Sequence, residues 1–333
     1  MEVSFLLPLA VLASGCCAAS SSPATRSAPS TLSSAAPALP APATPNDPIE
    51  VAITVDDLPR HGPDLPGVTR LSIHQRMLAV FAAHGTPPVY GFINAQKLEG
   101  HAEDEQALRA WVAAGYPLGN HTYSHVDGAQ VALAEYLADI DKNEPALERL
   151  VPAGAKGPPI WKVFRYPYLR EGRDSEAQTV LRTALLQRGY RIAQVTVDFY
   201  DWAYNQAHAR CVAKNDAASV TGLEESFLDQ AVSELRWADG AARELAGHPI
   251  RHILLLHVGE FTTRMLDRLL TAYEQNGTRF IALEAALADP VYASEPAQPM
   301  PFGNFLWRLR RARGTRSPAA APPPDTLLEL VCR

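Results

Sequence analysis

Val51-Ala52-Ile53-Thr54-Val55-Asp56-Asp57 is the stretch that decides the fold, because five small or β-branched residues run straight into two adjacent carboxylates. A continuous apolar run of this length fits a strand covered on both faces, and in α/β folds ligands gather at the carboxyl ends of such strands. Asp56 and Asp57 therefore stand where chemistry is usually placed. Taken alone, an Asp pair after a strand also reads as a solvated acidic turn. Its meaning depends on the rest of the chain.

The same alternation continues outward from this stretch. Strand-like runs are expected at Ile49 to Val55, Pro88 to Ile93, Tyr116 to Gly119, Trp161 to Arg165, Tyr190 to Val197, His252 to His257 and Thr278 to Ile281. Helical spacing is expected over Thr69 to His84, Asp104 to Ala114, Ser175 to Arg188 and Thr263 to Asn276, and each of these stops at a glycine able to take a left-handed cap. Strands and helices in alternation predict one parallel α/β domain over residues 48–292, a barrel or a distorted one. Tyr204 to Gly222 gives few signals and reads as irregular, before a long helical pattern from Leu223 to Ala246.

Both ends of the chain differ from this middle. Residues 1–19 contain an apolar run from Phe5 to Ala13, too short to span a bilayer, which reads as an export signal. Ala13-Ser14-Gly15-Cys16 resembles a lipoprotein cleavage box that would leave Cys16 as a lipidated first residue and sole membrane contact. Residues 20–47 are almost all Ala, Ser, Pro and Thr, a composition that reads as a disordered tether. Residues 293–333 form a Pro-rich, basic tail whose Phe305 to Arg311 cluster could face an anionic surface or pack. With 333 residues, 47% hydrophobic, and a formal net charge of −6, the chain can bury a sizeable core and has no global cationic field to draw in a nucleic acid.

Gly119-Asn120-His121-Thr122-Tyr123-Ser124-His125 carries two imidazoles four residues apart. In an extended strand they would be about 13 Å apart, too far to share an ion, whereas on a helical turn they would be neighbours at about 6 Å. They make sense as ligands only if the chain turns helical directly after the strand. Together with one carboxylate of the Asp pair they would form a three-ligand set with open positions, the pattern of a catalytic zinc site. The second carboxylate would then be free to act as a general base. Three more groups fall at strand ends: Phe164-Arg165-Tyr166-Pro167-Tyr168, Asp198-Phe199-Tyr200-Asp201-Trp202, and Leu254-Leu255-Leu256-His257.

These five pieces, in this order, resemble the NodB-type polysaccharide deacetylases of carbohydrate esterase family 4, over about Ile49 to Leu287. The resemblance implies a distorted (β/α)7 barrel. It implies that Asp56 is the catalytic base, that Asp57, His121 and His125 are metal ligands, and that Arg165 orients the base. It further implies that the Tyr168 amide helps hold an oxyanion and that Asp198 supports the acid or the Arg. Trp202 would wall the groove, Leu255 would meet the acetyl methyl, and His257 would be the general acid. Leu58 and Val258 depart from the family's usual Gly and Asp, and Leu58 is expected to put bulk beside the cleft.

The activity so implied is removal of N-acetyl groups from a carbohydrate by a divalent ion, with zinc favoured and cobalt, nickel, manganese or iron also accepted. Three alternatives use the same parts: a non-haem iron oxygenase, an amidohydrolase on a small C–N substrate, and a carbohydrate-binding lipoprotein without activity. Export would place the domain in a periplasmic or cell-envelope compartment, where Cys211 and Cys332 either pair or leave Cys332 free on a loose tail.

Overall fold

The computed structural model describes residues 47–152, 159–293, 303–314 and 325–333. The expected signal segment with Cys16, and the linker as far as residue 46, lie outside the described residues.

In chain order the elements are β1 (Ile49–Leu58), α1 (Arg70–Ala83), β2 (Tyr90–Ile93), α2 (Ala102–Ala113), β3 (Leu118–Asn120), α3 (Leu133–Leu150) and β4 (Val163–Phe164). There follow α4 (Ser175–Gln187), β5 (Arg191–Ile192), α5 (Asp201–Ala213), α6 (Ala217–Ala246), β6 (His252–His257), α7 (Glu260–Gln275), β7 (Thr278–Ile281) and α8 (Leu283–Leu287). The C-terminal region adds α9 (Phe305–Ala312) and α10 (Asp325–Leu330). The glycines expected as caps, Gly85, Gly115, Gly189 and Gly277, all lie at positive φ, between 59° and 84°. At the other end of α1, Thr69 and Ser72 cap each other reciprocally, Ser72 N donating to Thr69 Oγ1 at 3.1 Å.

All seven strands pair in parallel, in the order β5-β4-β3-β2-β1-β6, with β7 added on β1. β1 is the hub. β6 runs along one edge from Val51 to Asp56, while β2 and β7 share the other, β2 beside Thr54 to Leu58 and β7 beside Ile49 to Ala52. The segment expected as one strand from Tyr190 to Val197 splits, because after Ile192 the chain leaves β4 and crosses to β6. Ala193 N donates to Phe164 O, whereas Val197 bridges to Leu254 and Leu255 N donates to Val197 O. The ring closes through this irregular stretch, and the result is a distorted (β/α)7 barrel. Its strands bury nearly every residue of β1 and β2, which explains their unbroken apolar runs.

Two regions differ from the sequence reading. Residues 204–222 belong to α5 and the start of α6 apart from a turn at 214–216; their mixed polarity reflects a helix whose buried positions include Asn205, His208 and Cys211. α3 was not expected at all, since Pro145 stands inside it. α6 buries Leu223, Phe227, Ala231, Leu235, Ala238, Ala242 and Leu245, an apolar stripe at helical period. Among the described residues no helix is long and apolar enough to cross a membrane.

Of the basic tail, the described helix α9 packs into the folded body. α9 buries Phe305, Leu306 and Leu309. Its Arg308 is buried too, bonded to Glu171 and Gln194, while Arg311 and Arg313 are exposed. Burial would raise the Glu171 carboxyl, but Arg308 and Arg182 beside it hold it down to about 2. Cys211 and Cys332 are bonded to each other, closing 121 residues of sequence. A loop of that size is worth about 4 to 5 kcal/mol in the chain-entropy account. The bridge fixes the last residues against α5, where Arg210 donates to the carbonyls of Leu328 and Val331.

Candidate active site

The carboxyl ends of the strands converge on a cavity of about 440 Å³. All the candidate residues named from the sequence line it except Arg165, which lies buried directly beneath Asp56. At the end of β1 Asp57 takes a left-handed φ of 69° at a break in the β1–β2 register, and Asp56 and Asp57 both reach the one cavity. Leu58, next along, points into the core at 0% exposure, packed where a Cβ on Gly91 would stand 2.5 Å from its Cδ2. The expected bulk beside the cleft is therefore absent; the register break rotates Leu58 away from it.

His121 and His125 meet without a helix. The chain after β3 forms an irregular turn with Thr122 and His125 both at positive φ, and the two imidazole centroids stand 4.9 Å apart. Buried amides and one carboxylate hold this turn. Asn94 Nδ2 donates to the carbonyls of His121 and Thr122, Asn120 Oδ1 accepts from Thr122 N, and Asn143 Nδ2 donates to Asn120 Oδ1. Asp139 accepts from the amide and hydroxyl of Ser124. Asn143 and Asp139 both come from α3.

Asp57, His121 and His125 each offer a ligand atom, and the three lie within 4.8 Å of one another. The donor chemistry fits a divalent ion. His121 Nδ1 is 2.8 Å from the Arg165 carbonyl, to which it donates, leaving Nε2 as the lone pair turned to the site. Burial holds both imidazoles below their ordinary range, and so in the neutral form a ligand needs. Burial would raise Asp57, but the Lys97 ammonium and the imidazoles hold it well below the usual carboxylate range.

Lys97 was not singled out from sequence, although it follows a strand end as the other site residues do. Its Nζ donates to Asp57 Oδ1 at 2.9 Å and to the Asp57 carbonyl at 3.2 Å. An ammonium on a ligand carboxylate opposes a second cation there. Lys97→Met is therefore expected to tighten divalent-metal affinity about tenfold. Competition with a chromophoric chelator measures it, and equal or weaker affinity would mean that Lys97 orients Asp57 instead.

Arg165 lies under Asp56, its Nη1 3.2 Å from both carboxylate oxygens, with its other donors on Thr54 Oγ1 and the Ala193 carbonyl. Burial raises Asp56 to about 6 even against this guanidinium. Directly opposite in the β1–β6 register stands His257. The residue that holds His257 is Asp201, with 2.8 Å bonds to its Nδ1 and its amide, while Asp198 accepts from the Tyr200 amide. The resemblance implies that Asp198 supports the acid or the Arg, and the place bonded to His257 falls to Asp201. Asp201 takes it because α5 begins at Asp201 and turns this carboxylate, fully buried and also bonded to Thr262, under β6. Burial would lower His257, but Asp201 raises it to about 9.

Tyr168, at φ 56° and 55% exposed, leans on His125 with ring centroids 4.5 Å apart. Trp202 is 44% exposed on the rim, and Leu255 closes the floor. A further wall comes from His61, whose ring lies 5.3 Å from that of His257 and which sequence reading passed over. Burial first, and then the His257 charge, lower His61 to about 4, so a neutral imidazole stands beside a charged one.

Residues 43–193 match the polysaccharide deacetylase family model. A peptidoglycan-N-acetylglucosamine deacetylase of Bacillus cereus is 30% identical over 155 residues, a span of 46% of this chain and 46% of that protein. Solved structures with some likeness include a carbohydrate esterase family 4 pseudoenzyme from Bacillus anthracis (TM-score 0.48, 16% identity, covering 73% of this chain and 66% of that one). A chitin deacetylase from Colletotrichum lindemuthianum (TM-score 0.48, 19% identity, 78% and 94%) is another. The family match covers β1 to β5 and holds Asp56, the three candidate metal ligands and Arg165, while His257, bonded to Asp201, lines the same cavity from beyond it. Over residues 43–193, from β1 to β5, the chain matches the polysaccharide deacetylase family.

Proposed function

We propose that the protein is a metal-dependent deacetylase that hydrolyses N-acetyl groups on an amino-sugar-containing carbohydrate, releasing acetate and a free amine. The observation that carries this reading is the placement, in one cavity, of a carboxylate seated on Arg165 and a carboxylate-held imidazole, opposite each other beside an Asp-His-His ligand set. That is the apparatus for amide hydrolysis: a base for water, an acid for the leaving nitrogen, and a cation site between.

Asp57, His121 and His125 would hold the ion, and this borderline donor set favours zinc. When bound, the ion supplies Lewis-acid polarisation of the acetyl carbonyl and acidification of water. Asp56 takes the proton from the attacking water, with Arg165 fixing its orientation. His257, kept protonated by Asp201, gives its proton to the departing amine. Leu255 offers an apolar contact for the acetyl methyl, and Tyr168 and Trp202 flank the entrance.

Acetate release from chitin oligomers, peptidoglycan fragments and small N-acyl compounds, with metal-stripped and zinc-restored protein, tests the reading. Release only from the restored protein and only from carbohydrates supports it; release from none of them overturns it.

The pH dependence follows from the two proton-transfer groups. Asp56 must be ionised and His257 protonated. A bound cation favours the charged form of Asp56, so kcat/KM should rise with pH through a limb at or below about 6 and fall as pH passes about 9. Asp201→Asn removes the main influence raising His257, so the alkaline limb should move down toward the ordinary histidine value of about 6.5. An unmoved alkaline limb in that variant would exclude His257 as the acid.

Export to an oxidising compartment belongs to the same proposal. It is supported by the apolar run of residues 5–13 and by the Cys211–Cys332 bond, which such a compartment sustains. Anchoring through Cys16 remains part of the proposal, with the residue motif as its support.

A further inference from the structure

The stretch from Ala193 to Val197 crosses from β4 to β6 without forming a regular strand, and the start of α9 packs against it. Phe305 N donates to the Val195 carbonyl at 2.7 Å, and Asn304, the cap of α9, donates from Nδ2 to the Thr196 carbonyl at 3.4 Å. Phe305, Leu306 and Leu309 are buried behind these bonds. Gly303, one residue before the cap and at φ 105°, lines the catalytic cavity. A segment outside residues 43–193 thus supplies part of the wall of the site.

The same segment reaches the cavity by a second route. Arg308, 3% exposed, donates to Glu171, itself 2% exposed. Three parts of the chain meet on this carboxylate. Gln178 and Arg182 of α4 donate to its Oε2 at 2.9 and 2.7 Å, Gln194 of the crossing stretch donates to Oε1 at 2.8 Å, and Arg308 takes the fourth place, also on Oε1. Directly before Glu171 stands the loop that gives the cavity Tyr166, Tyr168, Leu169 and Arg170. This loop is strained, because Tyr168 and Leu169 are consecutive non-glycine residues at φ 56° and 55°. Such a conformation persists only where its surroundings hold it. Its first end is fixed by β4 and Arg165, and its last by Glu171.

We propose that residues 303–308 are a working part of the active site, with Gly303 as a cavity wall and Arg308 as a positioning residue that holds the Tyr166–Arg170 loop through Glu171; the effect on rate rests on the deacetylase reading above. The chemistry explains the arginine. A buried carboxylate needs donors on both oxygens, and the planar fork of Arg308 binds Glu171 and the Gln194 side-chain carbonyl at once. The loop so held carries Tyr168, whose ring stands 4.5 Å from that of His125. Loss of the anchor lets the strained pair relax and moves a wall of the cavity beside a candidate metal ligand.

Amide hydrogen exchange on the full chain tests the anchor without metal or substrate. The amides of Leu169 and Arg170 report the loop, since they donate within it to the carbonyls of Tyr166 and Pro167. In Arg308→Met they should exchange about tenfold faster than in wild type, while the amides of the His121–His125 turn keep their rates. At matched zinc content, kcat for acetate release from N-acetylglucosamine oligomers should fall about tenfold in the same variant, the scale of a small misplacement. Arg308→Lys, which keeps the charge and loses the fork, should fall between the two proteins in both measurements. Arg311→Met, an exposed cation of the same helix, should match wild type in both. Should Arg308→Met fail to fold, Arg308→Lys carries the comparison and must then change both. Unchanged loop exchange in Arg308→Met, or an equal rise in Arg311→Met, overturns the anchor. A faster loop with undiminished kcat overturns the positioning role and leaves the deacetylase reading intact. If wild type releases no acetate from any oligomer, that reading fails, and the exchange comparison alone decides whether α9 holds the cavity wall.

Discussion

Asp56→Asn is expected to keep its bound ion and lose roughly 10²- to 10⁴-fold in kcat, the scale of a single general base. The geometry separates the two acids. Asp57 stands among the other candidate ligands, with its Oδ1 3.4 Å from His125 Nε2, whereas Asp56 lies on the Arg165 side with its carboxylate engaged by the guanidinium. An amide at position 56 still accepts from Arg165 but cannot take a proton from water, so binding and chemistry part company. The variant leaves Arg165 as a buried cation without its counter-charge, and a lower melting temperature should accompany the loss of rate. Metal content by mass spectrometry and kcat on the same preparation check the result. If Asp56→Asn lost its ion and Asp57→Asn kept it, the two roles would be exchanged.

Much of this site was legible in the chain because each functional side chain stands at the carboxyl end of a strand, and strands buried on both faces announce themselves as unbroken apolar runs. The β6 run His252 to His257 matches the sequence reading residue for residue. Helix ends were legible where a glycine was sterically required. What could not be read was the means of holding the parts. The turn that brings His121 to His125 is set by the amide of Asn120 two residues away and by Asn94, Asn143 and Asp139, which reach it from the residue after β2 and from α3 and leave no local periodicity. α3 itself was hidden by Pro145, because tertiary packing of Tyr136, Ile140 and Leu147 outweighs the local cost of the proline. Asp201 was visible within its motif, but only the turn into α5 shows that it, and not Asp198, reaches under His257.

The ligand set yields the other large effect. Asp57→Ala, His121→Ala and His125→Ala are each expected to abolish tight divalent-metal binding and with it turnover, since each removes one of the three candidate ligands found among the described residues. The three variants should differ in stability, and the difference is informative. His121 is buried and donates to the Arg165 carbonyl, so its loss leaves a cavity and an unpaired acceptor in the layer that holds the base. Asp57→Ala leaves Lys97 without its carboxylate and puts alanine at φ 69°. His125 is the most accessible of the three, with a side chain 20% exposed on the turn. His125→Ala should therefore keep a melting temperature close to that of the metal-free wild type and still bind no metal, which separates ligation from folding. Equilibrium dialysis against zinc, read with thermal unfolding of the same samples, measures both. Stoichiometric metal retained in all three variants would overturn the assignment.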